Sequence, residues 1–162
     1  MTHHISIRDY APSDEAALIG LVLALQAIEG QWSDLVRPAG DMGPWYVADL
    51  LAQCAKDEGS ILIAEREGEV VGYAVVYVGL FVTGDRDEID HRYARIGDLC
   101  VKDGCRGAGV GQALIAACEA RTRAAGVKLL TIRHDPKNTR PAGLYQRLGF
   151  EPVQIVREKR LD

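Results

Sequence analysis

The stretch SILIAEREGEVVGYAVVYVGLFV, Ser60 to Val82, commits the chain to a β-sheet. Val, Ile, Tyr and Phe crowd both sides of Glu67-Gly68, and such residues suit a pleated, half-buried surface. Glu67-Gly68 is a hairpin turn signal, so the stretch reads as two antiparallel strands joined there.

Sheet and helix signals flank this hairpin on both sides. In HISIRDY, Ile5 and Ile7 alternate with polar residues before Pro12, which predicts an opening strand. Ser13 or Asp14 is placed to cap a first helix, where Leu18, Leu21, Val22, Leu25 and Ile28 repeat at helical spacing up to Gly30. A loop rich in Gly, Pro and Asp precedes a second helix from about Pro44 to Asp57. After the hairpin, a polar loop with Asp85, Asp87, Glu88 and Asp90 leads to a strand over about Arg95 to Val101. Val110, Leu114 and Cys118 share one face of a helix ending near Gly126, and VKLLTIRH reads as a buried strand. A short helix over Pro141 to Leu148 stops at Gly149, which suits a left-handed cap, and FEPVQIVREKR is expected to supply the last strand or strands. The order β-α-α-β-β-β-α-β-α-β predicts an α/β (α+β) fold in which helices cover a central sheet. No linker or repeat divides residues 1–162, and 162 residues suffice for one domain.

Charge and cysteine usage narrow the function classes. A net charge of -4 argues against a nucleic-acid partner, whose phosphates call for a basic excess, and suits a neutral or cationic small substrate. The four cysteines, Cys54, Cys100, Cys105 and Cys118, form no C-x-x-C pair and have no histidine at zinc spacing, so no metal is expected. Free thiols in a reducing cytoplasm are the expected state. The apolar run Ala16 to Ile28 is too short to span a bilayer, and Asp9, Asp14 and Glu15 precede it where a secretory signal carries positive charge. No membrane partner is expected.

The chemistry concentrates in CRGAGVGQALI, Cys105 to Ile115, where glycines at 107, 109 and 111 open a helix. A helix N-terminus presents unpaired N–H groups and a positive dipole end, and glycine lets an anion approach them. The phosphate loop G-x-x-x-x-G-K-S/T fails, because Gln112 stands where its second glycine belongs and no Lys-Ser/Thr pair appears. The dinucleotide fingerprint G-x-G-x-x-G fails at the same Gln112. What remains is Arg106-x-x-Gly109-x-Gly111 between a strand and a helix; a tight turn with no ligand is the plain alternative.

This segment resembles the pyrophosphate-binding motif Q/R-x-x-G-x-G/A of the GNAT superfamily of N-acyltransferases. NTRPAGLYQRLGF, Asn138 to Phe150, is similar to the family's C-terminal N-x-x-A-x-x-x-Y-x-x-x-G-F, with Pro141 at the alanine position. Proline is tolerated in a helix's first turn, so little effect is expected. The resemblance covers nearly the whole chain and is weakest over 30–57 and 79–93. It implies a mixed sheet of about six to seven strands, splayed between the fourth and fifth and flanked by about four helices. It also implies acetyl-CoA in that splay as co-substrate. Main-chain groups of Leu99, Cys100 and Val101 would meet the pantetheine. Arg106, Gly107, Ala108, Gly109, Val110, Gly111 and Gln112 would cradle the diphosphate, with Asn138 on the pantetheine arm.

For acyl transfer, the resemblance implies that Tyr145 protonates the departing sulfur; a core aromatic is the alternative. Asp98 resembles one of an acidic pair in polyamine-acetylating members, with Gly97 at the partner position. That implies a general base acting through water or an attractor for a cation; a solvated or capping aspartate is the alternative, and His134 and His91 are other candidate bases. Cys100 and Cys105 invite an acyl-cysteine route, but neither has an evident histidine-acid pair. Trp32, Trp45 and Tyr46 are candidates for an acceptor pocket or for core, and the acidic loop from Asp85 is a candidate for drawing in a cation or a solvated loop. The function expected is transfer of acetyl from acetyl-CoA to a primary amine of a small molecule, amino acid or peptide, directly in a ternary complex. A non-catalytic acyl-CoA-binding module is the alternative, and a homodimer is the assembly the resemblance implies.

Overall fold

The computed structural model describes residues 4–161. One antiparallel run of four strands carries most of the sheet: β1 (Ile5–Asp9), β2 (Gly59–Arg66), β3 (Glu69–Val82) and β4 (His91–Val101), followed by a parallel β5 (Leu130–Ile132). The order in space is that of the sequence. The hairpin turn lies where the sequence puts it. Glu67 and Gly68 both take positive φ, 55° and 80°, the pairing that matches the twist of a two-residue hairpin.

Helices cover both faces. α1 (Glu15–Glu29) and α2 (Pro44–Lys56) bury Leu18, Val22, Val47 and Leu50 against Ile61, Ile63, Tyr73, Val75 and Tyr77. α3 (Val110–Ala124) and α4 (Thr139–Arg147) pack on the other face, where Leu114, Ile115 and Tyr145 meet Leu62, Ala74, Val76 and Ile96. Residues 71–78 of β3 are buried throughout, because a central strand with helices over both faces has no solvent side. None of the described helices is long and apolar enough to cross a membrane.

Local chemistry sets the helix ends. α4 stops on Gly149 at φ 85°, and the bonds Gly149 N–H to Gln146 O and Phe150 N–H to Tyr145 O form the Schellman pair. That cap folds Phe150 back onto Tyr145, with ring centroids 5.9 Å apart. The start of α1 differs from expectation. Asp14 occupies the capping position, but its carboxylate turns back to accept from Ala11 N–H at 2.8 Å and from Arg8 Nη1 and Nη2 at 2.7 and 2.9 Å, tying the helix to β1.

The strand expected after α4 does not form, so the described sheet has five strands rather than six to seven. Residues 151–161 have no regular secondary structure, and Val153, Ile155, Val156 and Leu161 are exposed. β5 offers a ladder of only three residues to pair with, and Arg160 is drawn instead into an ion pair with Asp34 between α1 and α2.

Candidate active site

The sheet opens between β4 and β5. The two strands pair only at Ala94–Leu130, Arg95–Thr131 and Ile96–Ile132, after which β5 ends while β4 runs on to Val101. β4 residues 97–101 therefore keep β3 on one side and face a gap on the other.

A bulge decides what points into this region. Val75 pairs with Asp98 and Val76 with Ile96, so Gly97 is an extra residue on β4. Side chains alternate along a strand, so one extra residue reverses which face every later one takes. Ile96 packs with the α3–α4 core, Asp98 bonds to residues of the α1–α2 side, and Leu99 and Val101 return to the α3–α4 side. Gly97 lacks room for a side chain, since a Cβ there would lie 2.7 Å from Tyr77 Cε2.

Asp98 is held by two phenols. Tyr73 Oη donates to Oδ2 at 2.9 Å, and Tyr46 Oη donates to the same oxygen at 3.1 Å. Burial pushes the Asp98 carboxyl up, while these two hydrogen bonds pull it down, and burial prevails. Burial, with the Asp98 charge adding to it, raises Tyr73 and Tyr46 far above an ordinary phenol, so both stay protonated donors. Tyr73 is the residue at Asp98 that the sequence reading missed. Glu29 closes α1 near enough for Asp98 to raise it, after burial. Tyr73 and Tyr77, the polar-tipped members of an otherwise aliphatic strand on one face, were the available signal.

Tyr145 stands on the opposite side of the sheet, in the α3–α4 core and 8% exposed. Burial pushes its phenol up to about 12. His134 meets its ring at 5.6 Å between centroids. His91 begins β4, seven residues before Asp98 and roughly 23 Å away along the strand, so it lies far from the gap.

Beyond Val101 the chain enters the glycine segment. Gly104, Gly107 and Gly109 have φ of 80°, 78° and 85°, and nothing lies within 4 Å of a Cβ built on any of them. Their left-handed backbone, and not crowding, is what calls for glycine. Gly111 differs: it lies inside α3, and a Cβ there would meet Leu144 Cδ2 at 3.4 Å. No side chain caps α3, whose first main-chain bond runs from Ala113 N–H to Gly109 O, so the donors of its first turn are open to an anion. Ala108 and Gln112 are exposed on that rim, while Val110 is buried and anchors it. Arg106 lies alongside, with Nε donating to Val101 O at 3.2 Å and Nη1 2.8 Å from Asp103. Asn138 holds the N-cap position of α4 without a side-chain capping bond.

The remaining candidates sort by place. Tyr46 reaches Asp98, and Trp45 stacks edge-on against Tyr46 at 5.7 Å and is half-exposed. Trp32 Nε1 is buried without a hydrogen-bond partner. In the acidic loop, Asp90 accepts from Gly84 N–H and Asp85 from Asp87 N–H, which is local turn chemistry. All four cysteines are buried and free, and burial lifts Cys100 to about 11. Among the described residues, no group of His, Cys, Asp or Glu forms a metal-ligand cluster.

Comparison with known proteins agrees with this geometry. The chain is 35% identical over 148 residues to an L-methionine sulfoximine/L-methionine sulfone acetyltransferase of Pseudomonas aeruginosa, covering 90% of this chain and 80% of that protein. It is 30% identical over 156 residues to an aminoglycoside N(6')-acetyltransferase type 1 of Stenotrophomonas maltophilia, covering 93% and 89%. A crystal structure of a mutant of the BH1408 protein from Bacillus halodurans superposes with TM-score 0.85 at 19% identity, covering 96% of this chain and 99% of that one. AAC(6')-Iy with a CoA-containing bisubstrate analogue superposes with TM-score 0.73 at 23% identity, covering 98% and 99%. The acetyltransferase (GNAT) family profile matches residues 25–150, which include the β4–β5 gap, the open N-terminus of α3 and Tyr145. With the splayed strands, the family's two glycine motifs and this match in agreement, the chain belongs to the GNAT family and is an acetyl-CoA-dependent acyltransferase.

Proposed function

We propose that the protein transfers acetyl from acetyl-CoA directly to a primary amine of a small molecule, within one ternary complex. The observation that carries this reading is the placing of a carboxylate and a protonated phenol on opposite sides of one opened sheet. Asp98 faces α1 and α2, and Tyr145 packs with α3 and α4.

The residues present fit the cofactor. Left-handed Gly107 and Gly109 with open space around them, and an uncapped α3, suit a diphosphate, with Arg106, Ala108, Val110, Gly111 and Gln112 completing the cradle. Leu99, Cys100 and Val101 offer the strand edge to the pantetheine, and Asn138 its uncommitted side chain. When bound, acetyl-CoA supplies an acyl group activated as a thioester. Asp98 accepts the proton of the attacking amine as the new N–C bond forms. Tyr145 donates a hydrogen bond to the sulfur as the C–S bond breaks. Burial pushes this phenol up to about 12, above an ordinary thiol, so it holds its proton more firmly than the departing sulfur would. Tyr145 therefore serves as a hydrogen-bond donor to the developing thiolate; Asp98 passes the amine's proton to solvent and the departing thiolate takes one from solvent, so the products are the amide and free CoA thiol.

The acceptors named for the relatives, methionine sulfoximine and aminoglycosides, are small molecules, and the same class is proposed here. Cys100, held protonated by burial, favours direct transfer over an acyl-cysteine. The reading places the reaction in a reducing cytoplasm, within a single domain, without nucleic acid or membrane; the homodimer is carried over from the family. A thiol-release assay over primary amines that include those two classes tests it. Acceptor-stimulated release from the wild type, falling about 100-fold in Tyr145→Phe with the KM for acetyl-CoA kept, is expected. CoA release without acceptor, with acetyl left on the protein, would overturn direct transfer.

A further inference from the structure

We propose that Tyr73 and Tyr46 are positioning residues that clamp one oxygen of the Asp98 carboxylate and leave the other to face the acceptor amine. The proposal rests on Asp98 acting as the base.

Both phenols converge on Oδ2, at 2.9 Å from Tyr73 and 3.1 Å from Tyr46, while Oδ1 receives only a longer hydrogen bond from Tyr46 at 3.4 Å. The clamp is drawn from separate parts of the fold. Tyr73 lies on the adjacent strand β3 and is fully buried, while Tyr46 comes from the first turn of α2. A buried hydroxyl needs a partner, and Asp98 is the one Tyr73 has. The bulge at Gly97 is what turns Asp98 toward them. Two donors from different elements fix the carboxylate plane, which a proton acceptor requires within hydrogen-bond reach of its substrate.

The clamp also opposes burial. Hydrogen bonds to a carboxylate favour its charged form, so they keep Asp98 ionised, and able to take a proton, to lower pH than burial alone would allow. The other titratable groups bearing on it are Glu29 of α1, Cys54 of α2, Tyr77 of β3 and Cys100 of β4. Burial raises both thiols to about 11 and Tyr77 well above an ordinary phenol. The other charged groups nearby are Arg95, over the Tyr77 ring, and Arg106, which bears on Cys100. Tyr145 packs in the α3–α4 core, on the other side of the sheet from Tyr73 and Tyr46.

The test uses Tyr73→Phe, Tyr46→Phe and the double variant, which keep the rings, beside Asp98→Asn and Glu29→Gln. The pH profile of kcat/KM is taken with the best amine from the acceptor panel, and the Asp98 carboxyl is titrated by 13C NMR in the free protein. Each Phe variant should move the acid limb and the NMR midpoint upward together, by about one pH unit, with a larger shift in the double. The KM for acetyl-CoA should stay put, and Glu29→Gln should retain the limb. A lower rate at every pH with limb and midpoint unmoved would overturn the clamp and leave the tyrosines structural. Wild-type turnover in Asp98→Asn would instead overturn the base itself. If Tyr73→Phe fails to fold, Tyr46→Phe, altered at the more open phenol, decides the question alone.

Discussion

Gly109 and Gly111 stand two residues apart in one motif, yet replacing each with alanine should move stability in opposite directions. Gly109 has φ 85° with open space where a Cβ would go, so Gly109→Ala adds no clash and only left-handed backbone strain. That strain costs about 1–2 kcal/mol. Gly111 lies in α3, and its new Cβ would make an ordinary contact 3.4 Å from Leu144 Cδ2. Gly111→Ala therefore collects the helix preference of alanine over glycine, up to about 1 kcal/mol. In a domain of this size, 1 kcal/mol shifts Tm by roughly 2–4 °C. Gly109→Ala should melt about 2–8 °C below wild type, and Gly111→Ala up to about 4 °C above it. Calorimetric titration with CoA should divide them further. If residue 109 escapes its strain by leaving the left-handed region, the donors around it rotate, and affinity falls tenfold for each 1.4 kcal/mol lost. Differential scanning calorimetry and CoA titration on both variants suffice. Equal loss of stability in both, or a Gly109→Ala protein as stable as wild type, would refute the assignment of one glycine to backbone geometry and the other to helix packing.

Three further outcomes are expected. Gly149→Ala, at φ 85° in the cap that folds Phe150 onto Tyr145, should lower stability by about 1–2 kcal/mol in denaturant melts and reduce kcat more than the KM for acetyl-CoA. Arg8→Met should destabilise by roughly 1–3 kcal/mol at pH 7, because it leaves buried Asp14 with Ala11 N–H alone. Arg8 holds the folded Asp14 below its unfolded value, so this stability is present above about pH 4 and lost as pH falls. Melts across that range should show the gap to wild type narrowing toward acid. Cys100→Ala and Cys105→Ala should each sustain acetyl transfer in the thiol-release assay; complete loss of turnover with the fold intact would point to a covalent route.

Features fixed by neighbours in the chain were legible before the fold was known. Glu67-Gly68 sets its hairpin by its own dihedrals, Gly149 stops α4 by its own cap, and the helices follow from apolar spacing. Asp98 could be singled out as a candidate from its place three residues before Val101, but its surroundings could not be read. Tyr73 and Tyr46 lie 25 and 52 residues away, and a one-residue bulge at Gly97 decides which face Asp98 takes. Nothing local in the sequence encodes that parity. The final strand fails to form for the converse reason. FEPVQIVREKR is expected to form a strand, yet a strand also requires an edge to join, and β5 presents three residues.

The unequal lengths of β3 and β5 leave the two walls of the opening with different resistance to local unfolding. β4 is laddered to a fourteen-residue neighbour, whereas β5 holds to β4 through three positions and carries α4 behind it. Amide protons of β3 should exchange last with solvent, and those of β5 among the first in the sheet. Adjustment to differently shaped guests thus falls to the wall bearing Tyr145, while the wall bearing Asp98 stays as a fixed reference against which each guest is aligned.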